Sequence, residues 1–167
     1  MNTYVDLLLK RYRRKGVLID TNLLLLLLVG SYNTQLLGER GFKRVAQFTV
    51  EDFDLLLKLV AWFETVVTTP HILTEVSNLA GQLAENNKLG CFRTFESTFK
   101  LFTELSHPSL PIFRQQHFPF IGLTDSVIVE STGDYLILTD DLRLAGRLEN
   151  MGRDSLNFNH IRTQFWE

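Results

Sequence analysis

Six leucines and a valine run without interruption through positions 23–29, and no other stretch constrains the fold as tightly. A surface helix carries one apolar stripe, so a segment that is apolar all round has to be enclosed by protein on every side. The run is far shorter than the roughly 20 apolar residues a bilayer span requires, and the polar residues Asp20, Thr21 and Asn22 stand directly before it. Ahead of them, residues 17–19 (Val-Leu-Ile) read as a short buried strand. A strand, an acid and an enclosed helix in that order predict an α/β fold: a three-layer α/β/α sandwich around a central, mostly parallel sheet of about 4–5 strands.

The chain has 167 residues, 45% of them hydrophobic and 13 of them Phe, with no Pro/Gly/Ser-rich linker. That is enough to build one core, so residues 1–167 are expected to form a single domain, with 1–16 an additional basic helix at its amino end. The one cysteine, Cys91, excludes an internal disulfide and reads as a small core hydrophobe. The leucines at 7–9 are too few for the apolar core of a signal peptide, and basic residues follow them rather than precede them. A cytoplasmic protein with no membrane partner is the expectation.

Periodicity and punctuation place the remaining elements. A helix is expected over 3–14, closed by Gly16, and another from a capping signal at Thr49 through about Phe63. Residues 66–68 read as a second strand, and Thr69-Pro70 as the start of a helix on which Glu75 shares the inward face of Ile72 and Leu79. A helix over 93–105 would align Phe92, Phe95, Phe99 and Phe102 as a stripe serving the core. Residues 107–119 hold three of the four prolines and read as loop, with a short extended piece at Ile112-Phe113. Thr124 is expected to cap a helix with Asp125 in its first turn. Strands are expected at 135–138 and 156–158, flanking a helix that carries Arg143 and Arg147 and ends at Gly152.

On this layout Asp20, Glu75, Asp125 and the pair Asp140/Asp141 all stand where a strand hands over to a helix. In a parallel sheet the carboxyl ends of neighbouring strands border one crevice, so acids far apart in sequence can meet there. Each has a simpler reading alone: Asp20, Asp125 and Asp141 as helix caps, Glu75 as a solvated helix residue. Setting these five acids aside moves the formal charge from −2 to +3, which suits an anionic substrate.

The motifs resemble those of the PIN domain, a family of metal-dependent nucleases, over residues 17–162. They are a hydrophobic strand running into Asp20-Thr21-Asn22, Glu75 in a helix after Thr69-Pro70, Asp125 opening a later helix, and Thr139-Asp140-Asp141 after a strand. The resemblance implies an endoribonuclease that leaves a 5′-phosphate and a 3′-hydroxyl, with Asp20, Glu75, Asp125 and Asp141 as ligands to Mg²⁺ or Mn²⁺. Asp140 is a further metal-facing candidate, while Asn22 and Thr139 orient ligands or contact the scissile phosphate. It also implies single-stranded RNA as substrate, a toxin held by an antitoxin or another inhibitory protein, and a homodimer.

Lys10, Arg11, Arg13, Arg14 and Lys15 form a basic cluster suited to RNA phosphates, with Tyr12 among them for base stacking. Arg143, Arg147 and Arg162 read as surface ion-pair residues, and His160 as a hydrogen-bonded structural residue. Two other functions fit less well. One is a catalytically silent binding or assembly module on the same scaffold; the other is a phosphatase with a nucleophilic strand-end aspartate, which would want Asp-x-Asp where this chain has Asp-Thr-Asn.

Overall fold

The structure, a computed structural model, describes residues 3–165. Helix α1 (Thr3–Tyr12) leads into β1 (Val17–Ile19) and the leucine helix α2 (Thr21–Tyr32). Two 3-10 turns, Thr34–Leu36 and Lys43–Val45, precede α3 (Val50–Trp62) and β2 (Val66–Thr68). Next come α4 (Pro70–Ala80), α5 (Glu85–Arg93), α6 (Phe95–Phe99), β3 (Thr103–Glu104), α7 (Ser109–Ile112) and α8 (Phe118–Glu130). The chain closes with β4 (Leu136–Thr139), α9 (Leu142–Asn150), β5 (Ser155–Asn157) and α10 (Phe158–Phe165).

All five strands are parallel, in the order β3-β2-β1-β4-β5, with helices on both faces. Every strand therefore ends on the same edge of the sheet, and β1 lies at its centre. The leucine helix is enclosed as its composition demands, each of Leu23 through Gly30 being buried against the sheet and the neighbouring helices. Among the described residues no helix is long and apolar enough to cross a membrane.

Local signals account for most of the boundaries. The Thr49 hydroxyl accepts from the Asp52 amide while the Asp52 carboxylate accepts from the Thr49 amide, so α3 opens on a complete capping box. Thr69 caps α4 through the Ile72 amide, with Pro70 in the first turn. Gly16 turns the chain from α1 into β1 at φ 113°, a conformation that other residues avoid. Cys91 is buried, and burial pushes its thiol up to about 11.

Four expectations are corrected. The helix expected over 93–105 is broken: the Thr94 hydroxyl bonds back to the Cys91 carbonyl and ends α5, and Thr103–Glu104 leave the helix to pair with β2 as an edge strand. The phenylalanines still form a chain of ring contacts, Phe92 to Phe95 to Phe99 to Phe102, with centroids 5.3–5.6 Å apart. The piece at Ile112-Phe113 is helical, ending α7, rather than extended. Thr124 does not cap its helix; Gly122, at φ 78° and ψ −175°, kinks α8 there, and the Thr124 hydroxyl points elsewhere. The last strand begins one residue earlier than expected, and Phe158 opens α10, a helix the sequence reading missed.

A buried glycine inside the leucine helix has a packing reason. A Cβ at Gly30 would stand 2.4 Å from the Phe53 ring, so α2 and α3 touch at this point only because the side chain is absent. Gly30→Ala should therefore destabilise the protein by about 1–3 kcal/mol in urea unfolding, despite alanine's better helix propensity. A stabilised variant would mean that α3 does not pack there.

Candidate functional site

Asp20 sits between the end of β1 and the first turn of α2. One carboxylate oxygen accepts from the Leu23 amide at 3.1 Å and so caps the helix. The other accepts from the Thr139 hydroxyl at the end of β4. The Thr139 hydroxyl in turn accepts from the Asp141 amide at 2.9 Å. Thr139 is fully buried and thereby couples the Asp20 carboxylate to the loop that carries Asp140 and Asp141. Asp141 caps α9 through the amides of Arg143 at 2.6 Å and Leu144 at 3.2 Å.

Glu75 reaches the same edge from α4. Its two oxygens accept from Thr21 at 2.9 Å and from Thr124 at 2.7 Å, the residues directly beside Asp20 and Asp125. The expectation that it faces the core with Ile72 and Leu79 is corrected: Glu75 is exposed and lies across the mouth of the crevice, because its partners are hydroxyls at the crevice rim. Asn22 donates to Asp140 at 3.1 Å, and the Gln47 side chain also bonds that carboxylate. Asn159 holds the Asp140 carbonyl at 2.7 Å. The structure thus brings Asp20, Asn22, Glu75, Asp125, Thr139, Asp140 and Asp141 to one edge of the sheet.

Burial and mutual repulsion show in the acidities. Burial, then the neighbouring Asp140, pushes the Asp20 carboxyl up to about 7, against the bonds from Thr139 and the Leu23 amide. Burial, then Asp141 and Glu75, raises Asp125 to about 6, with the Arg147 guanidinium opposing. Asp140 is also raised, by burial first, while its bond from Asn22 opposes. Burial and repulsion between like charges on this scale are what a bound cation would relieve.

Five carboxylates are hard oxygen donors, the type that suits Mg²⁺ or Mn²⁺. Thr68 Oγ1 and Asn157 Nδ2, at the ends of β2 and β5, are buried with no hydrogen-bond partner among the described residues. Among the described residues no three His, Cys, Asp or Glu side chains are grouped closely enough to grip an ion as they stand. The carboxylates instead repel one another as neighbours along the edge, Asp20 with Asp140, Asp140 with Asp141, and Asp125 with Asp141 and Glu75.

The basic cluster lies elsewhere. Lys10 to Lys15 lead into the amino end of β1, where Arg13 O accepts from the Glu64 amide, at the edge of the sheet opposite the acids. Arg11 is bound to Asp154 at 2.8 Å, Arg13 stands 5.2 Å over Trp62, Arg14 faces Glu64 at 3.9 Å and Lys15 lies 5.4 Å over Tyr12. Tyr12 is buried with its hydroxyl on Asp154, which corrects the expectation that it stacks on a base.

The late cations also depart from their reading. Arg162 pairs at 3.0 Å with Asp52, whose side chain is buried, so this is no surface ion pair. Arg143 and Arg147 have no ion-pair partner within 4.0 Å among the described residues. His160 is exposed, and among the described residues its ring makes no hydrogen bond. The sequence reading missed Thr21 and Thr124, although a hydroxyl adjacent to a candidate acid was a usable sign. Gln47 and Asn159 carried no local sign.

Compared with known proteins, the chain matches no family model, no curated protein and no solved structure.

The raised acids make stability depend on pH in a defined direction. A carboxyl whose folded value lies above its ordinary one contributes stability that is complete below about pH 4 and is lost as pH rises through 6 to 7. In chelator, the melting temperature should fall between pH 5 and pH 8, and the double variant Asp20→Asn/Asp125→Asn should flatten that fall. Asparagine still caps α2, so the comparison keeps the helix start intact. An equal slope in both proteins would show that the two carboxyls are not the source.

Proposed function

We propose that this protein is an endoribonuclease of the PIN type that depends on a divalent metal ion and hydrolyses phosphodiester bonds in single-stranded RNA. The observation that carries the reading is the convergence of acids from four separate segments on one edge of a parallel sheet, joined by Thr21, Thr124 and Thr139. Structural capping accounts for Asp20 and Asp141 but gives no reason for Glu75 to bridge two hydroxyls across the crevice.

Asp20, Glu75, Asp125 and Asp141 would hold Mg²⁺ or Mn²⁺, directly or through water, with Asp140 beside them. The ion supplies a water of lowered pKa and relieves charge on the leaving oxygen. The chain's own groups prepare the place. Thr139 donates to Asp20 and accepts from the Asp141 amide, so its hydroxyl hydrogen has a single direction and both carboxylates keep a set orientation. Thr21 and Thr124 hold each Glu75 oxygen, and Asn22 aims Asp140. Asp20 and Asp125 carry protons at mildly acidic pH, so the crevice offers its full negative charge only above about 6 to 7.

A second reading, a binding module without turnover, is favoured by one observation: among the described residues no three acids stand close enough together to hold an ion. One experiment separates the two. With Mn²⁺, purified protein should cut a single-stranded RNA into fragments bearing 5′-phosphates, with a rate that rises through pH 6 to 7 and vanishes in chelator. Asp20→Asn should lower the rate by about two orders of magnitude or more, the scale on which one essential charge acts in such sites. Cleavage no faster than in Asp20→Asn would favour the module.

A further inference from the structure

An acid crevice must still attract an anionic strand, and the cations expected to do so lie at the far edge of the sheet. Four of them are already engaged by Asp154, Trp62, Glu64 and Tyr12. Helix α9 offers a different arrangement. It starts from Asp141 at the crevice and carries Arg143 and Arg147 on its outer side, two and six residues further on. They are one turn apart, about 6 Å along the axis, and neither has an ion-pair partner among the described residues.

The two arginines line an open groove with Leu142, Gly146, Asn150 and Met151. Gly146 is the second, independent observation. A glycine inside a helix costs about 0.5–1 kcal/mol relative to alanine. Among the described residues neither packing nor backbone conformation explains it: a Cβ at Gly146 would meet none of their atoms within 4 Å, and its φ is ordinary. What the missing side chain provides is a bare patch beside the two arginines in the groove they line. The groove also leads to the acids, since Arg147 is the cation whose charge is felt at Asp125.

We propose that the outer face of α9 is the strand-binding path of this protein, with Arg143 and Arg147 gripping successive phosphates of a single-stranded RNA and Gly146 letting the backbone pass close to the helix. This rests on the proposed nuclease reading for what happens next in the crevice, but binding itself can be measured without cleavage. Two phosphate contacts predict strong salt dependence and little sequence preference. The basic segment at 10–15 then serves the fold, by fastening α1 to the chain at Glu64 and Asp154.

The test uses the full chain in chelator with a short fluorescein-labelled oligouridine, read by anisotropy over a range of salt. Arg143→Gln/Arg147→Gln should weaken binding about tenfold or more and reduce the salt slope by roughly 1 to 1.5, about 0.7 for each lost contact. Gly146→Gln should weaken binding while leaving the melting temperature unchanged or higher, which a purely structural glycine would not do. Arg147→Lys should recover part of the loss, and Lys10→Gln/Arg13→Gln/Arg14→Gln should bind as the parent does. Unaltered binding in the α9 variants, loss confined to the 10–14 variant, or no binding by the parent protein would overturn the proposal. Binding through α9 without any cleavage in Mn²⁺ would support it and sink the nuclease reading alone; the reverse pattern would do the opposite.

Discussion

The carboxylate of Asp20 is buried at the centre of the molecule, and the site is organised around it. Its place follows from two demands at once. The leucine helix must be enclosed, which draws its first turn under the neighbouring elements, and that turn needs an acceptor for its free amides. Asp20 supplies the acceptor and is buried with the helix. A charge there is costly, and the Thr139 hydroxyl from the adjacent strand offsets part of the cost. Because Thr139 also holds the Asp141 amide, compensation at one carboxylate sets the position of two more.

Hydroxyls rather than cations connect the site. Thr21, Thr124 and Thr139 each donate to a carboxylate and add no charge, so the crevice keeps its negative potential while its side chains stay ordered. A lysine or arginine in their place would have neutralised the acids and removed that potential. The raised pKa values of Asp20 and Asp125 are the counterpart of this choice. The all-parallel sheet then separates functions by edge: strand beginnings carry the paired cations of residues 11–15, and strand ends carry the acids.

Much of this was legible in order and type. Capping at Thr49 and Thr69, the strands at 17–19 and 66–68, and the handover from strand to helix at Asp20 and at Asp140–Asp141 are local events, set by residues within one turn of each other; Asp125 instead lies inside α8, which follows α7 and no strand. The failures came where a distant partner outweighed a local preference. Residues 103–104 look helical by spacing, but an open edge on β2 gives their backbone a better partner. Thr124 looks like a cap, but Glu75, 49 residues away, takes its hydroxyl once Gly122 has kinked the chain. Tyr12 looks like an exposed stacking residue among cations, yet its ring is buried and Asp154 takes its hydroxyl.

By itself the sequence determined the α/β class, the burial of the leucine helix, the caps at Thr49 and Thr69 and which acids were candidates, because apolar periodicity and capping residues are written within a few residues. Only the tertiary structure decided which side chains face one another: that Glu75 spans the crevice rather than entering the core, that the basic segment stands behind the sheet, and that Arg143 and Arg147 are left without partners. Those outcomes depend on which strand edges meet and on which polar groups compete for each donor, and separation along the chain carries no information about either.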